Sequence, residues 1–137
     1  MTTAWFDRIA ARLAEPGIQG PLSAAWSLAN QTVYWALAAA GGNDGDTLAA
    51  YGTHNHAIEL RGFLPEPDDG DDPETDLTFA DGRRLAEFLE QAERRLAAAA
   101  GTTMVPDEAL TALVAVRLLG HTAAAVRTTL RPAQTAR

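Results

Sequence analysis

His54, His56 and His121 are the only side chains in this sequence whose ordinary pKa lies near neutrality, so any proton shuttle or imidazole metal site has to be built from them. No cysteine is present, which excludes thiolate nucleophiles, thiolate metal sites and disulfides together. On a helix, His54 and His56 point about 200° away from each other and cannot share an ion. His56 and Glu59, three positions apart, fall on one face, where an imidazole beside a carboxylate can act as acid and base or as two metal ligands. Completing a metal shell would take His121, Asp44 or Asp46 from elsewhere in the chain. No ligand set is complete at a recognisable spacing, so no metal and no cofactor is expected.

A wider polar arc surrounds that pair. Gly52, Asn55, His56 and Glu59 lie together beside Leu48, and Gly52 leaves a gap that a ligand could approach. The preceding, largely apolar helix offers Asn30, Gln31 and Tyr34 as its polar strip. If the two strips face each other they form a small pocket with Asn30, Tyr34, Asn55, His56 and Glu59 as ligand-binding residues. If they face water or one another they make ordinary interhelical hydrogen bonds, and spacing leaves both arrangements open. Arg117, between Leu110 and Leu113 on the apolar side of a later helix, would be the charged wall of that pocket if it paired with Glu59. Otherwise its stem covers apolar surface while its head reaches water, or it caps carbonyls at a helix end.

Sequence motifs add no enzyme chemistry. A Ser-His-Asp elbow, a phosphate-binding Gly loop, a dinucleotide fingerprint and a zinc-protease helix are all absent, so no catalytic residue is assigned and an enzyme is not expected.

The formal charge of −7 is a local matter. Glu66, Asp68, Asp69, Asp71, Asp72, Glu74 and Asp76 stand with no base among them, while eleven acids elsewhere balance eleven basic residues, every one an arginine. That stretch lacks the alternating ligands and closing glutamate of an EF-hand, and it is expected to be a mobile acidic loop over 66–76. Arg83-Arg84 and Arg94-Arg95 alternate with Glu87 and Glu90 as a mixed-charge solvent face. After Glu108 no acid remains, and Arg117, Arg127, Arg131 and Arg137 leave the C-terminal part basic. Leu118-Leu119-Gly120-His121-Thr122 resembles the Leu-Gly-His turn of tyrosine recombinases. The family's nucleophilic tyrosine would fall nine residues after His121, where Leu130 stands, so its strand-transfer chemistry is not implied.

The elements that must carry these residues are helices. Trp5, Ile9 and Leu13 mark a first one, stopped by Pro16-Gly17. A second runs from about Leu22 to Ala40, apolar on most sides. The uncharged stretch from Pro16 to Asn43 that contains it carries too many mid-span polar groups to cross a membrane. Asp46 or Thr47 caps a third helix reaching Phe63. A fourth, Asp81 to Ala100, buries Leu85, Phe88, Leu89, Ala92 and Leu96 on one face. Pro106, Asp107 and Glu108 open a fifth, nearly encircled by apolar residues. Gly120 and Thr122 suggest a break before a short sixth, which could form a helix-turn-helix. No run of alternating residues reads as a strand.

An all-α, bundle-like single compact domain over 1–137 follows, of five or six helices with the second and fifth central. Charged residues in the first turns leave no secretory signal, and a cytoplasmic location is expected. The expected function is that of a small helical binding or regulatory module engaging a protein partner or a second copy of itself, with Trp5, Phe6, Trp26 and Trp35 as candidate anchors. The alternatives are a small-molecule or metal site centred on His56 and Glu59, and a DNA-associated accessory protein using the C-terminal arginines.

Overall fold

The computed structural model describes residues 2–42, 45–67, 73–75 and 77–131. Over these it holds five α-helices: α1 (Thr2–Ala14), α2 (Gln19–Gly41), α3 (Thr47–Phe63), α4 (Gly82–Thr102) and α5 (Pro106–Leu130). A single 3-10 turn, Phe79–Asp81, leads into α4, and the described residues contain no strand. The all-α expectation holds, with apolar residues from every helix sharing one core.

α2 is the centre of that core. Leu22, Ala25, Trp26, Leu28, Ala29, Val33, Trp35 and Ala36 are buried along its length, and so are Ser27, Asn30, Gln31 and Thr32. A helix hidden on nearly every side must give each polar group a partner: α1, α3 and the segment before α4 supply those of Ser27, Asn30 and Gln31, while Thr32 donates back to the Leu28 oxygen at 2.7 Å. The candidate aromatic anchors are core residues: Trp5, Phe6, Trp26 and Trp35 are all buried, with Trp5 edge-on to Phe6.

α1 ends where Gly17 adopts a positive φ of 84°. Its last carbonyls are met from α4, because the Arg95 guanidinium donates to the Leu13 oxygen at 3.0 Å and to those of Glu15 and Gly17 at 2.8 Å each. Arg84 stands over the Phe6 ring at 4.5 Å. The arginine pairs of α4 are therefore only partly a solvent face, since one member of each pair fastens α1.

α3 begins as its sequence requires. The Asp46 carboxylate accepts from the Ala49 amide at 3.0 Å, and the buried face is Ala50, Thr53, Ala57 and Leu60. The Asp46 amide donates to the Thr129 oxygen at 3.2 Å, and the Thr53 and Thr129 hydroxyls meet at 2.8 Å. These contacts pin the start of α3 to the end of α5, so the two helices run antiparallel.

α5 departs from expectation in two ways. It is continuous through Gly120, so there is no sixth helix and no helix-turn-helix among the described residues. Thr122 bonds back to the Leu118 oxygen at 2.8 Å instead of capping a new helix, and Gly120 lies so close to the Glu93 carboxylate that a Cβ would be 3.0 Å from it. One helical glycine costs about 1 kcal/mol, less than the packing along α4 returns. Nor is α5 central like α2. Ala112, Ala115, Leu119, Ala123 and Val126 are buried, but Leu110 and Leu113 face outward. By length and composition α5 is apolar enough to cross a membrane, with 33% of the relevant window buried.

Of the acidic stretch, residues 68–72 and 76 lie outside the described residues, and the expectation of a mobile loop falls mainly on them. Glu74 is docked through its backbone on the Gln31 side chain of α2.

Candidate functional site

The polar strip of α2 is shared among three neighbours. Ser27 accepts from the Arg12 guanidinium of α1 at 2.9 Å, and Asn30 accepts from Arg61 of α3 at 2.9 Å. Gln31 grips the Glu74 backbone at both ends: its oxygen accepts from the amide at 2.6 Å while its nitrogen donates to the carbonyl at 3.2 Å. The strip therefore fastens the bundle. The arc on α3 does not meet it, because α3 buries Ala50, Thr53, Ala57 and Leu60, which leaves Gly52, Asn55, His56 and Glu59 on the opposite side of the helix. Asn30 and Tyr34 are thus separated from Asn55, His56 and Glu59.

Tyr34, half exposed, belongs to a different feature. It lines a cleft of about 370 Å³ between α2 and residues 73–75 and 77–79, walled by Trp35, Leu77 and Phe79 with Glu74 also on its lining. The Trp35 and Phe79 rings stack at 5.6 Å, inclined by 12°, and the Trp35 indole donates to the Phe79 oxygen at 3.3 Å. Gly82 makes this possible, since a Cβ there would collide with the Trp35 ring. Sequence reasoning does not find this wall, although Leu77 and Phe79 straight after the acids are a visible signal that the chain returns to the core.

The remaining candidate residues gather over the α3–α5 seam. His56 and His121 face each other with ring centroids 6.0 Å apart and planes inclined by 62°. From that level, periodicity carries α3 through Glu59 to Phe63 and, because the helices are antiparallel, carries α5 back through Arg117 to Leu113 and Leu110. All of these are exposed: Phe63 at 39%, Leu113 at 56% and Leu110 at 63%. Glu59 and Arg117 form no ion pair with each other among the described residues, and Arg117, mid-helix and not in a last turn, caps nothing. Asn55 lies farther out on α3, in solvent.

Two imidazoles at one level can hold a proton, a hydrogen-bonded anion or part of a metal shell, but no three His, Asp or Glu side chains gather as a metal set among the described residues. Of the C-terminal arginines, Arg117 and Arg131 are exposed. Arg127 is held by both oxygens of Glu90 at 2.7 and 2.8 Å, while Arg137 lies outside the described residues. No protein-family profile matches the chain, and no curated protein or solved structure shows significant similarity to it.

Proposed function

We propose that the protein is a small self-associating helical module whose contact face is the solvent side of the α3–α5 seam. The observation that carries this reading is the make-up of that face: exposed Phe63, Leu110 and Leu113 continue directly into Glu59 and Arg117, which stand at one level without pairing to each other. Exposed apolar residues grouped on one face favour a partner over water. The charges favour a second copy as that partner. Under a two-fold axis running parallel to the helices, α3 of one copy packs on α5 of the other at the same level. Glu59 then meets Arg117 twice, and Phe63 meets Leu113 twice. An axis across the helices would set Glu59 against its own copy and is disfavoured.

Size supports a modest affinity. Two adjacent helices over the length of α3 present a patch of about 25 by 20 Å. That is roughly 1,000 Å² buried in all, at the lower bound for a specific interface. A dimer dissociating in the micromolar range is expected.

Sedimentation velocity from about 1 to 200 μM tests this directly. The wild type should shift from monomer to dimer across that range. Leu113→Glu, at an exposed position, should remain monomeric with an unchanged far-UV circular dichroism spectrum. A wild type that is monomeric throughout overturns the reading. If that monomer co-sediments with phosphatidylcholine vesicles, the apolar face of α5 belongs to a lipid surface instead.

The α2 cleft supports a second reading. Its volume falls within the range of small-molecule sites, and stacked Trp35 and Phe79 beside the exposed Tyr34 ring suit a planar aromatic guest. Indole is a suitable probe. Saturable quenching of tryptophan fluorescence that Tyr34→Ala weakens would favour it, and unsaturable quenching would remove it.

A further inference from the structure

We infer that His56 and His121 form a two-imidazole site for a borderline divalent cation of the zinc or nickel class, clamping α3 to α5. The inference does not depend on self-association, because both ligands come from one chain and water can fill the other positions.

The geometry is close to what a chelate needs. A metal–nitrogen bond of about 2.0–2.1 Å, with the ring centre about 1.2 Å beyond, sets two imidazole centroids on a tetrahedral ion roughly 5 Å apart. The observed separation is 6.0 Å, with the planes already inclined. Both histidines are exposed, so a small torsional change in each side chain closes the gap without moving either helix.

The backbone beneath them is the second observation. α3 and α5 are fastened to each other on the Asp46 side of this pair, where the Thr53 and Thr129 hydroxyls meet at 2.8 Å and the Asp46 amide donates to the Thr129 oxygen at 3.2 Å; Thr53 lies one turn from His56, and Thr129 eight residues beyond His121. The imidazoles are therefore held opposite each other by packed helices and not by loops, which lowers the ordering cost of binding. Glu59 follows His56 by three positions and so lies on the same side of α3, but among the described residues it does not join the two imidazoles as a third ligand. Imidazole nitrogen with carboxylate or water suits zinc and nickel and does not suit magnesium or calcium, which prefer all-oxygen shells.

His54 provides an internal control. It lies on a different side of the same helix and is partly exposed, so binding that needs only a single histidine can engage it too.

The test is calorimetric titration with ZnCl₂ in the Leu113→Glu background, which keeps both imidazoles and separates metal binding from self-association. The expected result is one zinc per chain, with affinity at least tenfold weaker in His56→Ala and in His121→Ala and unchanged in His54→Ala. Long-range ¹H–¹⁵N spectra of the unsubstituted histidines should show zinc moving the ring nitrogens of His56 and His121 but not those of His54. Absence of binding, equal binding by the two alanine variants and their parent, or a His54→Ala loss as large as theirs would overturn the site.

Discussion

Gly82 and Gly52 should answer the same substitution in opposite ways. At Gly82 a methyl group would enter the Trp35 ring and approach Leu130 to 3.0 Å, so Gly82→Ala is expected to destabilise the fold by about 1–3 kcal/mol. At Gly52 nothing lies within 4 Å of the point a Cβ would occupy, and Gly52→Ala should stabilise α3 by roughly 0.5–1 kcal/mol. Urea denaturation of the two variants checks both signs. The hydrogen bonds from Arg127, aided by its charge and by that of Arg94, hold the Glu90 carboxyl below its ordinary range. A carboxylate depressed in the folded state contributes stability above its unfolded pKa, and that contribution is lost as pH falls through the folded pKa. Both partners are well exposed, at 43% and 32%, so screening limits the pair to about 0.5 kcal/mol. Arg127→Met should therefore flatten the acid limb of stability against pH slightly while leaving its shape near neutrality unchanged.

At the scale of the elements, Arg95 joins α4 to the end of α1 through carbonyls on Leu13, Glu15 and Gly17. A planar guanidinium reaches all of them from one position, which an ammonium cannot do. Arg95→Lys should cost about 1–2 kcal/mol, read as a lower urea midpoint with an unchanged m-value, and hydrogen exchange in α1 should quicken more than in α3. The helices themselves are legible in the sequence because their signals are local. Asp46 caps where a cap is expected, Pro106 opens α5, and Leu85, Phe88, Leu89 and Leu96 bury one face of α4. The continuity of α5 is not legible, since Gly120 is a breaker by propensity and only its packing beside Glu93 overrides that preference. Burial around α5 escapes the sequence for a related reason: Leu110 and Leu113 read as core by type, and only the placement of α3 and α4 shows that neither covers them. The site is legible as residues but not as a juxtaposition. His56, Glu59, Arg117 and His121 can each be picked out, whereas the antiparallel register that brings them to one surface shows in the facing of His56 and His121, a long-range fact.

At the scale of the molecule, the charge of −7 resides in the acidic segment, and what remains is balanced. Two copies can therefore approach through the α3–α5 face without general repulsion, and orientation falls to the Glu59 and Arg117 pairs. Moderate salt should weaken such a dimer only a few-fold, because the apolar residues carry most of the contact. The most direct test of self-association is the dimer dissociation constant across a charge-reversal cycle, measured by sedimentation equilibrium for wild type, Glu59→Arg, Arg117→Glu and the double variant. Each single reversal sets like charges together twice and should weaken the dimer by about tenfold, roughly 1.4 kcal/mol, while the double reversal should return it to within about twofold of wild type. A double variant no tighter than the singles, or constants that do not respond to either reversal, would contradict the two-fold arrangement on which this account of the protein rests.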